Sequence, residues 1–206
     1  MRIIKISPFG FGCNQYLVTA DECNAVLFDA GEKDLCRQAE RKGLTVRALF
    51  LTHCHFDHVN GASNVQKAGA RVYLSKTETA LVNTDAELFE LAGVWKDEYT
   101  VDESFEDGAV YSLYGLKITC LLTPGHTLGS TTYLVQDERT GERALFTGDT
   151  LFLDSVGRTD FPMGDMRVLQ NSLQKLVDLE GDYPVFAGHG EDTTLDRERK
   201  YNPFVR

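Results

Sequence analysis

The chain has 206 residues, 42% of them hydrophobic, which suits one compact domain, since such domains run to roughly 50–250 residues. Its 31 acidic and 21 basic residues leave a net charge of −10 and a pI near 4.9, which argues against nucleic acid or an anionic membrane surface as a partner. No apolar run approaches the roughly 18 residues of a membrane span. The five cysteines include no Cys-x-x-Cys pair and fit free thiols in a reducing cytoplasm better than a disulfide framework.

The opening Met1–Ile6 is apolar only until Pro8 and Gly10 break it, so it reads as a first strand and not as a secretory leader. Strands are predicted over 2–7, 14–19 and 25–29, each rich in Ile, Val, Leu or aromatics and bounded by Gly or polar clusters. A helix over 32–42 ends at Gly43, where a residue tolerant of positive φ is expected. The continuous apolar run 46–51 reads as a buried strand that delivers the chain into His53. Helices over 61–68 and 77–82 flank a strand at 71–74, and a short helix follows at 86–92. Residues 109–114 and 116–122 flank Gly115 as a hairpin, whose second strand ends at Thr123-Pro124-Gly125-His126. Strands at 131–135 and 143–147 come next, the latter ending at Gly148-Asp149. A helix over 165–179 sets Val168, Leu169, Leu173, Leu176 and Val177 on one face. A last strand at 184–187 ends at Gly188-His189-Gly190.

All five histidines fall at recognisable metal-ligand positions. The run His53-x-His55-x-Asp57-His58 packs four donors into six residues, and a regular helix would scatter them over different faces. In a loop, His53 and His55 can turn towards one ion while Asp57 and His58 turn towards a second. His126 can complete the first set and His189 the second, with Asp149 bridging both. Seven donors are too many for one tetrahedral zinc and suit two adjacent ions. Such a pair, roughly 3.5–4 Å apart, lowers the pKa of a bridging water and polarises a carbonyl. Asp57 is expected to orient that hydroxide as well as ligate. Zinc is the first expectation, with iron or manganese compatible with the same donors. Cys54 lies between two of the donors and is expected to stay outside the set. Each chemistry-bearing residue follows an apolar strand at a Gly or Thr turn, so rigid elements place the donors and loops present them.

The order His53-x-His55-x-Asp57-His58, His126, Asp149, His189 resembles the metallo-β-lactamase superfamily, over essentially the whole chain. That resemblance implies an α+β fold, a four-layer αβ/βα sandwich, as a single catalytic domain over 1–206, with the site at the edge between two mixed sheets. Di-iron members that reduce oxygen usually carry Glu at the position of His55. Thr123-Pro124-Gly125-His126-Thr127-x-Gly129-Ser130, Gly148-Asp149-Thr150-Leu151-Phe152 and Gly157-Arg158-Thr159-Asp160-Phe161-Pro162 resemble the type II glyoxalases, or hydroxyacylglutathione hydrolases. Arg197-Glu198-Arg199-Lys200-Tyr201-Asn202-Pro203-Phe204 is similar to the ending of their short subgroup, which lacks the helical domain that grips glutathione. The implied function is hydrolysis of a small-molecule thioester such as S-lactoylglutathione. The alternatives are a lactonase or other small-ester hydrolase, and an iron-dependent persulfide dioxygenase using only His53, His126 and Asp149. The dioxygenases tend to carry Cys where this chain has Val156. Arg158 can hold a substrate anion, or it can pair with Asp160 to shape the loop after Asp149.

Overall fold

The computed structural model describes residues 1–7 and 12–205. The expected break at Pro8 and Gly10 lies outside the described residues. β1 (Arg2–Ile6), β2 (Gln15–Thr19), β3 (Asn24–Phe28), β4 (Thr45–Phe50), β5 (Arg71–Ser75) and β6 (Glu103–Phe105) form one sheet in that order. The first three strands pair antiparallel and the last four parallel. The second sheet begins with β7 (Val110–Leu113) and β8 (Leu116–Leu122), joined by a turn in which Tyr114 and Gly115 both take positive φ (53° and 78°). That pair of left-handed residues matches the twist of a two-residue hairpin. It continues with β9 (Thr131–Asp137) and β10 (Arg143–Gly148). A two-stranded ribbon follows, β11 (Leu151–Phe152) with β12 (Ser155–Val156), and then β13 (Pro184–Ala187) and β14 (Thr193–Thr194). The order across the second sheet is β14-β13-β10-β9-β8-β7.

Alternation along the strands sorts side chains into layers. In β3, Val26 and Phe28 enter the core between the sheets, while Ala25 and Leu27 face the outer side. The inner core joins Tyr16, Phe28, Phe50 and Tyr73 of the first sheet to Ile118, Tyr133, Val135 and Phe146 of the second. Phe28 stacks on Phe146 with centroids 4.3 Å apart, and Phe50 on Tyr73 at the same distance. Against the outer face of the first sheet pack α1 (Leu35–Glu40) through Leu35 and Ala39, α2 (Phe56–Val59) through Val59, and α3 (Ala62–Lys67) through Ala62 and Val65. The first sheet also carries α4 (Lys76–Thr79) and α5 (Phe89–Ala92) in the segments after β5. Against the outer face of the second sheet pack α6 (Met166–Val177) and α7 (Leu195–Tyr201) through Leu169, Leu173, Leu176 and Leu195. The four layers are therefore helix, sheet, sheet, helix, as expected from the sequence.

Direction matters more than layering for the site. β3, β4 and β5 run parallel, so their C-terminal ends lie along one edge. β8 and β10 are each antiparallel to β9, and β13 is parallel to β10, so these three strands also finish together. The residues that follow β4, β8, β10 and β13 are His53, His126, Asp149 and His189.

Several expectations are corrected. Residues 56–59 form one helical turn, where an open loop was expected, so Asp57 and His58 sit on α2. The predicted 32–42 helix is shorter. The 86–92 helix divides into a 3-10 turn at Asp85–Glu87 and α5, separated by Leu88 at φ 63°. Val168 is not on the buried face of α6, which is Leu169, Ser172, Leu173 and Leu176 at the i, i+3, i+4, i+7 positions. No helix among the described residues is long and apolar enough to cross a membrane, and the five cysteines are free.

The stack of Phe28 on Phe146 joins the two sheets directly below the site edge. Phe146→Ala is expected to lower unfolding free energy by about 3–5 kcal/mol, the usual range for removing a buried Phe. Urea denaturation of the metal-free protein checks this; a loss below about 1 kcal/mol would mean that the aromatic layer does not join the sheets energetically.

Candidate metal centre

The seven residues singled out in the sequence converge at this edge. They form two overlapping sets of side chains that differ in chemistry. The first set is imidazole only. His55 Nδ1 lies 3.1 Å from His53 Nε2 and 2.9 Å from His126 Nε2. The surrounding network assigns the protons. His126 Nδ1 donates to the Arg158 carbonyl at 2.6 Å, which leaves its Nε2 as a lone pair. The Thr52 hydroxyl donates to Asp29 Oδ2 at 2.9 Å and so accepts from His53 Nδ1 at 3.0 Å, which leaves His53 Nε2 as a lone pair as well. One proton on His55 Nδ1 can serve one of its two contacts, so lone pairs face each other across the other.

The second set mixes imidazoles and carboxylates. His189 Nε2 lies 3.2 Å from Asp57 Oδ2 and 3.4 Å from Asp149 Oδ2. His58 Nε2 lies 3.3 Å from Asp149 Oδ1 and 3.7 Å from Asp57 Oδ2. Asp149 also reaches the first set, with Oδ2 3.6 Å from His126 Nε2. Among the described residues it is the one carboxylate placed between the two groups.

Two observations test whether a cation fits. His58 Nε2 and Asp149 Oδ1 are buried, face each other and have no hydrogen-bond partner. Buried polar atoms without partners are rare, and two that aim at one point fit a shared third partner. The protonation preferences agree. Burial, then the neighbouring imidazoles of His126 and His58, push His55 down to about 3. His53 is likewise held well below its ordinary value by burial and by His58, His55 and His126. Burial would also lower His189, but hydrogen bonds to Asp149 and Asp57 raise it to about 9. Burial would lower His58, but Cys13 first and then Asp149, Asp29 and Asp57 raise it well above its ordinary value. Despite the opposing effect of burial, His58 and His189 hold Asp149 well below the usual carboxylate range. One set offers neutral lone pairs; the other holds positive charge for want of another cation. Histidine and carboxylate donors of this kind suit divalent metals.

Local sequence makes the convergence possible. Gly188 packs its backbone against the donors, and a Cβ there would collide with Asp149 Oδ1 and crowd His58 Cε1 at 2.8 Å. Asp29, at the end of the apolar run 25–29, accepts from Thr52 N at 2.7 Å, and from Thr52 Oγ1 and His58 Nδ1 at 2.9 Å. It takes φ 59°, so the carboxylate sits at a backbone kink directly after β3. Such partners fix the orientation of metal-binding imidazoles. The signal that marks Asp29 is its position at the end of an apolar run, before Ala30-Gly31. Cys54 takes no part in the donor groups found among the described residues. Burial, then Glu78, pushes its thiol up and keeps it protonated.

The centre opens into a cleft of about 390 Å³ whose apolar lining is Phe56, Leu88, Phe152, Val156 and Phe161. Arg158 also lines it. Its guanidinium makes a bidentate pair with Asp160 at 2.6 and 2.7 Å and stacks 4.0 Å above the Phe161 ring. The loop-shaping ion pair is thus formed, and Arg158 still borders the cleft.

Comparison with known proteins agrees with this architecture. The family model of the metallo-beta-lactamase superfamily matches residues 8–189, and the chain belongs to that superfamily. The chain is 33% identical to the hydroxyacylglutathione hydrolase GloC of Haemophilus influenzae, over 100% of this chain and 97% of the relative. The solved structure of BLEG-1, a B3 metallo-beta-lactamase, superposes with a TM-score of 0.89 at 30% identity, covering 99% of each chain. TTHA1623, solved in a di-iron-bound form, superposes at 0.83 with 33% identity, covering 98% of this chain and 99% of that one. These relatives place the chain among metallohydrolases of this fold.

The two donor sets are expected to differ in how pH acts on metal uptake. Metal competes with protons for imidazole. His53 and His55 carry none near neutrality, so their set should bind zinc with little pH dependence between pH 7 and 9. His58 and His189 must each give up a proton, so uptake at their set should release about two protons at pH 7. It should tighten as pH rises, and less steeply above about 9, where His189 has already lost its proton. Calorimetry in buffers of different ionisation enthalpy measures this; equal proton release from both binding events would contradict the assignment.

Proposed function

We propose that this metallo-beta-lactamase superfamily chain is a binuclear metallohydrolase that cleaves thioesters of the S-lactoylglutathione type, acting as a single catalytic domain over 1–206. The observation that carries the reading is the pair of donor sets sharing Asp149. On this reading His53, His55 and His126 would hold one ion, Asp57, His58 and His189 would hold the second, and Asp149 would serve both. Two divalent ions bound there would acidify a water towards neutrality and polarise a carbonyl. Zinc is the proposed metal, with iron or manganese accepted by the same donors. The full-length similarity to a hydroxyacylglutathione hydrolase supports a thioester over other acyl substrates.

The remaining chemistry falls to the side chains. Asp57 lines the cleft and is suited to accept a hydrogen bond from the attacking water and so orient it, besides ligating. His126 keeps its ring fixed through the Arg158 carbonyl, so the loop that carries Arg158 is tied to the centre. Phe56, Leu88, Phe152, Val156 and Phe161 give the acyl group an apolar wall that excludes bulk water. A thiolate is a good leaving group, so the reaction needs no separate general acid, in keeping with a site made of metal donors. Arg158 has N–H groups beyond the two given to Asp160 and is proposed to hold a substrate anion at the rim. The acidic surface and charge of −10 favour a small-molecule partner over nucleic acid, and the free thiols favour a cytoplasmic setting.

The similarity to a B3 metallo-beta-lactamase raises amide cleavage as the second reading, because the same donors can serve it. Activity should therefore be compared on an S-lactoyl thioester, a β-lactam and a persulfide, with zinc- and iron-loaded protein. The thioester is expected to dominate; a persulfide or β-lactam turned over faster would replace the proposal. Within the thioester class, Arg158 is the one arginine or lysine among the described residues that line the cleft, so binding energy from a remote peptide tail should be small. Progressive truncation of the glutathione portion is expected to change kcat/KM less than about a hundredfold, or roughly 2.7 kcal/mol. A larger loss would reveal a dedicated glutathione site.

A further inference from the structure

Glu78 is fully buried on the single helical turn α4 and lies outside both donor sets. Its side chain has a consistent set of partners. Oε1 accepts from the Cys54 amide at 3.0 Å, which lies between His53 and His55. Oε2 accepts from the Thr127 hydroxyl at 2.9 Å and the Gly129 amide at 2.8 Å, in the loop that carries His126. The first loop leaves β4 of one sheet and the second leaves β8 of the other. Ser75 reinforces the link: its hydroxyl caps α4 through the Glu78 amide and donates to the Gly129 carbonyl at 2.7 Å. Gly129 permits the approach, because a Cβ there would collide with Glu78 N and with Ser75 Oγ at 2.5 Å.

The imidazole set draws its members from both sheets: His53 and His55 from the first, His126 from the second. Its geometry therefore depends on how the two loops are held relative to each other. The second set is held differently. Asp29 fixes His58, and Gly188 N donates to the Gly148 carbonyl at 2.9 Å, tying the His189 turn to the Asp149 turn. We propose that Glu78 is a positioning residue that clamps the His53–His55 loop to the His126 loop, so that metal affinity of the imidazole set depends on it and that of the Asp57, His58, His189 set does not. The proposal rests on the two-ion reading of the site. The Glu78 carboxylate suits the task because it only accepts, and all three partners donate. Glu78→Gln keeps the shape but turns an N–H₂ towards one or more of those donors.

The test uses Glu78→Gln and Glu78→Ala, with Glu198→Gln as control. Glu198 is equally buried and accepts from Asp154 N, Thr193 Oγ1, Asn202 Nδ2 and the Arg197 guanidinium, all outside the two donor sets. Zinc titration followed by histidine-ring NMR reports the two sets separately. Glu78→Gln is expected to weaken the His53, His55, His126 set by about 10–100-fold, the usual effect of losing a partner that orients a ligand. The His58 and His189 signals should titrate within about threefold of wild type, as should both sets in Glu198→Gln. Hydrogen exchange on metal-free protein should show faster exchange of the Cys54 and Gly129 amides in Glu78→Gln, with the strand amides unchanged. Equal weakening of both sets, or unchanged exchange at those amides, would overturn the proposal. If Glu78→Ala does not fold, Glu78→Gln carries the test. If wild-type protein takes up a single ion, the two-ion reading fails, and the exchange measurement still decides whether Glu78 clamps the loops.

Discussion

Lone pairs that face one another without a proton between them repel, and the folded chain holds three buried imidazoles with one proton for two contacts. His53 Nε2, His55 Nδ1 and His126 Nε2 meet at about 3 Å, and beside them His58 Nε2 faces Asp149 Oδ1 at 3.3 Å without an aligned hydrogen bond. In a dry site such an arrangement is costly unless a cation sits among the donors, because low dielectric strengthens repulsion as well as attraction. The rest of the molecule can be understood as the apparatus that imposes this geometry. The aromatic core between the sheets makes the edge rigid, and the common direction of β4, β8, β10 and β13 brings their turns to it.

Holding the donors in register takes polar groups that do not themselves face the cleft. Asp29 fixes Thr52 and His58, the Arg158 carbonyl fixes His126, and Glu78 spans the loops of His55 and His126. The result is an asymmetric centre. In its imidazole half His53 and His55 are neutral near pH 7, while His58 and His189 in its carboxylate half favour holding protons and with them positive charge. An ion entering the carboxylate half must displace those protons, whereas the imidazole half is open to it directly. That asymmetry follows from which residue types the chain supplies at each strand end, not from any difference in exposure alone.

Much of this was legible in the sequence. Apolar runs bounded by Gly gave the strands, with 184–187 correct to the residue, and the density of His and Asp at strand ends marked the donors that the fold brings together. The rest was not legible, for identifiable reasons. α2 is a single turn, too short to show a helical period, and its conformation comes from packing of Val59 beneath it. β6, β11, β12 and β14 have two or three residues each, and pairing with neighbours makes them strands. α7 buries Leu195 and Glu198 among otherwise polar residues, so it carries little apolar signal. Val168 is expected beside Leu169 on the buried face of α6, yet the turn from Asp165 buries Leu169 and leaves Val168 outside. Asp29 and Glu78 are single acidic residues whose role depends on contacts 23 to 51 positions away, which no local pattern encodes.

The central claim is that one carboxylate, Asp149, joins two ion sites. Crystals grown with excess zinc, with anomalous scattering recorded above and below the zinc absorption edge, test it directly. Two anomalous peaks are expected, one among His53, His55 and His126 and one among Asp57, His58 and His189, with a different oxygen or edge of Asp149 turned to each. A single fully occupied peak, with His58 Nε2 and His189 Nε2 left without a metal, would contradict the account.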